Sequence, residues 1–272
     1  MDLLRHLRFF AAVADTRHFG DAARELGMTQ PPLSQGIQRL EGRVGSRLFE
    51  RDARGVRITP VGQTLLPYAR ELLRLEGEFD DLATGIAVPA RIRLGLTGDI
   101  DDLIDEVVGA LASPGQEIAP TVAGSVELVD LLRDGALDVT VLRHPGVVDG
   151  LEAGPVLVVP TRWEPAGADA TSSLPVAVPP RHHQPPAHDQ LVDALRRAGH
   201  SGSVVEGADS AQRRAMTAAR NAIRIAPAAA GMPADADSPP LRLRIATPLP
   251  RHRWSDIDHP AVVAALTKAL SR

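Results

Sequence analysis

Leu4, Leu7, Phe10, Ala11 and Ala14 recur at steps of three and four residues, the spacing of an amphipathic helix with one buried face, and predict a first helix over roughly 3 to 15. A shorter helix reads from Asp21 to Leu26 and stops at Gly27, whose freedom at positive φ suits a helix C-terminus. Thr29 is placed as N-cap of a third helix from about 31 to 43, with Pro31 and Pro32 in its first turn and Leu33, Ile37 and Leu40 facing inward. Arg47 to Arg51 and Gly55 to Thr59 then read as two short strands joined by a charged loop. Three helices followed by a hairpin predict a winged helix-turn-helix over residues 1–59.

From Pro60 to about Ile86 the pattern is that of one long helix, with apolar residues at Leu65, Ala69, Leu72, Phe79 and Ala83. A second apolar set (Leu66 with Leu73, Leu75 with Leu82) covers more surface than one intramolecular partner needs, so coiled-coil-like self-association is the simplest use, with Leu65, Leu72 and Phe79 on the seam. Residues 60–90 are thus a linker and dimerisation segment, ending in a hinge at Val88-Pro89-Ala90. Beyond it strand-like and helix-like runs alternate: Ile92 to Leu96, a helix at about 100–112, Ala119 to Ala123, a helix at about 126–135, and Asp138 to Leu142. Pro and Gly are dense from Gly146 to Pro186; a helix over Gln190 to Ala198, a strand over Ser203 to Glu206, a helix over Ala211 to Ala219, a strand over Leu241 to Thr247 and a last helix over Pro260 to Leu270 follow. The alternation predicts βαβ units and a mainly parallel sheet in a third segment, 91–272. The fold class is α+β and α/β combined.

With 44% hydrophobic and 24% charged residues, the 272-residue chain can bury cores in two units and reads as globular. The N-terminus lacks the apolar stretch of a signal peptide, and no run approaches a membrane span, so a cytoplasmic protein is expected. The absence of cysteine excludes disulfides, thiolate metal sites and thiol redox sensing. Charge is uneven: residues 1–60 hold ten Arg against seven Asp and Glu, a balance of +3, which leaves −7 for the rest of a chain whose total is −4. The basic end is the candidate for a phosphate backbone. His182, His183 and His188 lie in a Pro-rich segment without a fourth ligand, and no Gly-rich phosphate loop or nucleophile elbow occurs, so no enzyme, metal or cofactor is expected.

The segment from Phe19 through Glu41 (FGDAARELGMTQPPLSQGIQRLE), continued by Val44-Gly45-Ser46-Arg47-Leu48-Phe49-Glu50-Arg51 and Thr59-Pro60-Val61-Gly62, resembles the helix-turn-helix of the LysR family of transcriptional regulators. The resemblance implies binding of double-stranded DNA at an operator dyad by a homo-oligomer, dimer or tetramer, with RNA polymerase as a further partner. It places Gln30, Pro31, Pro32, Ser34, Gln35, Gln38 and Arg39 on a recognition helix, where amides and hydroxyls meet base edges in the major groove, and Arg51 and Arg54 in the wing against phosphates or the minor groove. Asp52 departs from that pattern, as does Gly20, where relatives place a Ser or Thr that caps the helix or bonds a phosphate. Gln35-Gly36 replaces the commoner Arg-Gln and removes a charge and a side chain from the reading helix.

The remainder resembles the family's two-subdomain, periplasmic-binding-protein-like effector domain, most clearly at Ile92 to Leu96 and over Val129 to Val139. That resemblance places Thr97, Gly98, Ser125, Arg143 and Ser210 around a small-molecule effector between the subdomains; helix capping is the plainer alternative for Thr97, Ser125 and Ser210. The second subdomain departs from the pattern at Thr217 to Ala222, which lacks the usual glycines. Asp99, Asp101 and Asp102 lie close to Arg143, and the simplest joint reading is an internal ion pair filling the anion position. Two functions stay open: a regulator whose C-terminal domain senses an effector, and one whose C-terminal domain is an oligomerisation or docking scaffold.

Overall fold

Asp2 opens the first helix by accepting the Arg5 N–H at 3.1 Å, and α1 (Leu3–Thr16) closes at Arg17 in the left-handed region, φ 52°. α2 (Phe19–Glu25) is capped by His18, whose Nδ1 accepts the Asp21 N–H at 3.3 Å; the imidazole takes the capping task that the resemblance gives to a hydroxyl near Gly20. α3 (Gln30–Val44) starts after an extended Thr29, but the Thr29 side chain makes no cap hydrogen bond. The reason is local: the second and third helical residues, whose N–H groups a cap would satisfy, are Pro31 and Pro32 and have none.

The computed structural model describes residues 2–52, 55–83, 90–229, 231–250, 253 and 257–271. β1 (Phe49–Asp52) and β2 (Gly55–Ile58) pair antiparallel, with Phe49 opposite Ile58. Glu41 ties them to α3, its Oε1 accepting the N–H of Leu48 at 2.8 Å and of Phe49 at 3.3 Å. Thr59 starts α4 (Pro60–Ala83): its hydroxyl donates to the Arg47 carbonyl at 2.8 Å and accepts the Gly62 N–H at 3.0 Å. A Cβ at Gly62 would stand 2.5 Å from the Leu48 carbonyl oxygen, which explains the glycine in the Thr-Pro-Val-Gly motif. The core joins Phe10, Val13, Phe19, Leu33, Ile37, Leu48 and Phe49 to Leu66 and Ala69, so it runs past Thr59 into the first half of α4. Phe49 meets Phe10 and Phe19 edge-on, with ring centroids 5.4 and 5.9 Å away.

The chain divides into two units, Met1–Val88 with Asp134–Ala136, and Pro89–Arg133 with Leu137–Arg272. The second opens with β3 (Ala90–Thr97), a 3-10 turn (Gly98–Leu103) and α5 (Ile104–Gly109), so the single helix expected near 100–112 is broken at Ile100, φ −105° and ψ 21°. β4 (Gln116–Ala123), α6 (Ser125–Arg133) and β5 (Val139–Arg143) follow. The Pro- and Gly-dense stretch holds short strands β6 (Leu151–Ala153), β7 (Leu157–Val159), β8 (Thr161–Glu164) and β9 (Val176–Val178). α7 (Pro185–Arg197), β10 (Val204–Glu206), α8 (Ser210–Ala218), β11 (Ile223–Pro227), β12 (Leu241–Pro248) and α9 (His259–Leu270) complete the order.

Two sheets result. One runs β4-β3-β5-β12-β6 with β7 also on β12, the other β10-β9-β11-β8. β3, β4 and β5 are parallel, but β12 is antiparallel to β5, β6 and β7, and β8 is antiparallel to β11. The sheets are therefore mixed, not mainly parallel, because β12 re-enters the first sheet from the second subdomain in the reverse direction. Leu94, Leu96, Val141, Leu243 and Leu266 centre one core, and Trp163, Val176, Val178, Leu195 and Ile223 another. Asp138, 3% exposed, accepts the Arg93 backbone N–H at 2.8 Å and its guanidinium at 3.0 and 2.6 Å; this acid in the family-like Leu-Asp-Val run is a structural staple.

Candidate nucleic-acid interface and cleft

α3 buries Leu33, Gly36, Ile37 and Leu40. On its other face Gln30, Pro31, Pro32, Gln35, Gln38 and Arg39 are all exposed and Ser34 is half-buried, so the helix brings the expected reading residues together on one polar surface. Gly36 is not on that surface. A Cβ there would meet Phe9 Cδ2 at 2.4 Å and His6 Cδ2 at 3.2 Å, so the glycine permits the α1–α3 crossing and takes nothing from the reading face. In the wing, Arg51 lies on β1 opposite Val56, while Arg54 falls outside the described residues, as does most of the expected hinge. Arg43 and Arg47, which pattern reading passed over, are exposed at and just beyond the end of α3 and add positive charge there.

Along α4, Leu66 and Ala69 are buried and Leu65 is half-buried against the winged-helix core. Leu65, Tyr68, Leu72, Leu75 and Phe79 nevertheless form a line at alternating steps of three and four, and exposure along it reaches 43% at Leu72 and 70% at Phe79. Tyr68 and Leu75 thus join Leu65, Leu72 and Phe79 on one stripe, with Leu65 shared with the N-terminal core.

In the second unit, Thr97, Gly98 and Ser210 line a single cavity of about 140 Å³ with Asp209 and Gln184. Ser210 does not cap its helix: Asp209 does, accepting the Gln212 N–H at 2.7 Å. Thr97 donates to Asp99 at 3.4 Å and makes no cap bond. The Ser125 hydroxyl accepts the Arg143 backbone N–H at 3.0 Å, and Arg143 does not line this cavity.

Of the three aspartates, Asp99 forms the ion pair expected with Arg143, and the other two are paired elsewhere. Asp101 and Asp102 are held by arginines of the second subdomain, Asp102 by Arg214 at 2.6 Å and Arg224 at 2.9 Å, and Asp101 by Arg214 at 3.0 Å. Arg224 also reaches Glu164 at 2.7 Å, and Glu164 pairs with Arg162. Only Asp99 is left for Arg143, at 4.0 Å. Arg214 of α8 and Arg224 of β11 reach the 3-10 turn from the second subdomain and come closer to Asp101 and Asp102 than Arg143 comes to Asp99. Burial disfavours the charge on Arg224, yet Asp102, Glu164 and Asp101 outweigh it and raise its pKa. Arg213 adds a bond to the Gly98 carbonyl at 2.9 Å. Between these bridges the gap shrinks to about 30 Å³, room for a water molecule. The rings of His182 and His183 pack edge to face, and among the described residues no group of His, Asp and Glu is disposed to hold a metal. No described helix is long and apolar enough to cross a membrane.

A polar helix face on a winged helix-turn-helix, followed by a two-subdomain α/β unit, is the arrangement of a DNA-binding regulator. Residues 4–63 match the family described as bacterial regulatory helix-turn-helix protein, lysR family. The probable hydrogen peroxide-inducible genes activator of Mycobacterium xenopi is 39% identical over 158 residues, covering 56% of this chain and 84% of that protein. The HTH-type transcriptional regulator IlvR of Caulobacter vibrioides is 32% identical over 234 residues, 75% of each. The chain belongs to the lysR family and is a DNA-binding transcriptional regulator. Its fold is that of a cysteine-to-aspartate variant of full-length OxyR from Pseudomonas aeruginosa (TM-score 0.60, 22% identity, 99% of this chain and 94% of that one) and of CbnR (TM-score 0.59, 20% identity, 99% and 98%).

Proposed function

We propose that this regulator reads a DNA dyad in the major groove through Gln30, Pro31, Pro32, Ser34, Gln35, Gln38 and Arg39, with Arg51 and Arg54 on the flanking backbone or minor groove. The observation that carries the reading is the segregation on α3 of four buried core residues from a continuous exposed polar face. Two copies join along the stripe Leu65, Leu72 and Phe79 of α4, which sets the spacing of the half-sites. The protein acts in the cytoplasm, on DNA and through contact with RNA polymerase, and catalyses no reaction. CbnR, of the same fold, has been seen bound to its target DNA. Genome-wide mapping of bound sites tests the proposal: a recurrent inverted repeat is the expected result, and occupancy without a shared sequence would overturn it.

The C-terminal unit modulates that binding. Thr97, Gly98 and Ser210 are the candidate effector contacts in the cleft, with Ser125 and Arg143 behind them. The relatives named for hydrogen peroxide response do not lend their trigger to this chain through a thiol, since it has no cysteine. One observation favours the second reading, a docking or oligomerisation scaffold: the cleft is bridged by the chain's own Arg213, Arg214 and Arg224, and the cavity lined by Thr97, Gly98 and Ser210 holds only about 140 Å³, whereas ligand pockets usually span about 300 to 1,000 Å³.

A further inference from the structure

α1 ends on an arginine at a backbone position that favours glycine. Arg17 has φ 52° and ψ 21°, and its N–H donates to the Val13 carbonyl at 3.0 Å. In this left-handed region a Cβ crowds the following carbonyl oxygen, so Gly or Asn is the ordinary occupant and an arginine held there is strained. The turn itself is fixed: the Thr16 hydroxyl donates to the Ala12 carbonyl at 2.8 Å and accepts the His18 N–H at 3.4 Å. Among the described residues nothing compensates for the strain, because the Arg17 side chain is exposed and enters no ion pair. The neighbouring carboxylates are engaged elsewhere, Asp15 with Arg70, and Asp21 with Arg24 at 2.8 Å and His18 at 3.2 Å.

The place of the turn supplies a use for the side chain. His18 caps α2 and its ring covers Gly20, where a Cβ would stand 3.0 Å from His18 Cε1 and 4.0 Å from Gln30 Oε1. The turn that carries Arg17 therefore borders Gln30, the first residue of α3 and of its exposed polar face. A duplex that takes this face into its major groove runs its sugar-phosphate backbone along the edges of the groove, and the forked donors of a guanidinium match a phosphate. We propose that Arg17 clamps a backbone phosphate beside the recognition helix, a sequence-independent contact that positions α3 in the groove. The inference rests on the DNA reading of α3 and adds to it a positioning residue outside both that helix and the wing.

Arg17→Gly tests it in the full chain, by thermal melting and by fluorescence anisotropy on a mapped operator and a scrambled duplex across a salt series. Relief of the left-handed arginine should raise the melting temperature of the first unit. Loss of the phosphate contact should weaken binding to both duplexes several-fold and by the same factor, and lower the slope of log affinity against log salt by about 1. The gap between variant and parent then narrows about 3.5-fold from ~0.05 to ~0.2 M salt. Arg17→Gln keeps the strained backbone and removes the charge, so it should show the same loss of affinity without the melting gain. Arg220, which follows α8 at φ 58°, is the control: Arg220→Gly should raise melting of the second unit and leave both affinities unchanged. A loss confined to the operator, or unchanged affinity and salt slope in both Arg17 variants, would overturn the contact while the DNA reading of α3 stands. A lower melting temperature in Arg17→Gly would also overturn it, by showing that the fold itself uses the side chain. A parent protein that binds neither duplex would overturn the DNA reading, and this contact with it.

Discussion

Replacing Gly36 by alanine puts a methyl group where the α1–α3 crossing has no room. The new Cβ would lie 2.4 Å from Phe9 Cδ2, 2.7 Å from Phe9 Cε2 and 3.2 Å from His6 Cδ2. Neither neighbour can swing away freely, since Phe9 and His6 are each 6% exposed and the Arg5 guanidinium lies 5.5 Å from the Phe9 ring centre. Overpacking of this kind costs about 1–3 kcal/mol. Alanine regains about 0.8–1.0 kcal/mol of helix propensity over glycine, so the net loss for Gly36→Ala is about 1 kcal/mol. Gly42, on the exposed side of the same helix with no atom within 4 Å of its would-be Cβ, supplies the control. Gly42→Ala keeps the propensity gain of about 0.8–1.0 kcal/mol without strain, so the difference between the two variants isolates the packing strain. Hydrogen exchange of peptides from α1 and α3 measures it locally: the two variants should differ in protection by about 5- to 150-fold, the equivalent of about 1–3 kcal/mol. Equal gains in both would refute the crossing and return Gly36 to the reading face.

Leu72→Glu places a charge on the α4 stripe, where burial in a dimer costs several kcal/mol, so sedimentation should show dissociation and operator affinity should fall with it; an unaltered oligomer would move the seam off this stripe. Arg224→Leu strips Asp101, Asp102 and Glu164 of a shared partner that is 5% exposed and should destabilise the second unit by about 3 kcal/mol. Arg214→Leu, half exposed, should cost under about 1 kcal/mol in the same denaturant melts. Similar costs would show that the cleft does not rest on Arg224. Burial holds His144, His183 and His259 below the ordinary histidine pKa. The unfolded chain therefore takes up more protons as pH falls through about 6.5, and the stability these groups give above that value is lost on acidification. Melting of the second unit should drop between about pH 7.5 and about 5.5, and a flat profile would contradict the burial of these rings.

The N-terminal helices and hairpin were legible because their signals are local: a three-and-four apolar spacing, Gly27 after the second helix, Pro31 and Pro32 at the start of the third. What pattern could not show were contacts made by residues distant in sequence. Gly36 reads as a missing side chain until Phe9 is seen against it, and Glu41 reads as surface charge until it meets the Leu48 and Phe49 amides. In the second unit β6, β7 and β9 are three residues each, too short for alternation to register. The direction of β12 depends on a crossover between subdomains that no local run encodes. The acidic cluster at Asp99, Asp101 and Asp102 was visible and Asp99 pairs with Arg143 as charge suggested, but the partners of Asp101 and Asp102, Arg214 and Arg224, lie more than a hundred residues away in the chain.

The central claim is that the exposed face of α3 reads base sequence, and equilibrium binding of Gln35→Ala tests it most directly. Fluorescence anisotropy is recorded at one fixed salt concentration on a mapped operator and on a scrambled duplex of equal length. The substitution should cost about 1–3 kcal/mol on the operator and little on the scrambled duplex, because an amide lost from a base edge removes discrimination and leaves phosphate contacts intact. Equal losses on both duplexes, or no loss on either, would contradict the assignment.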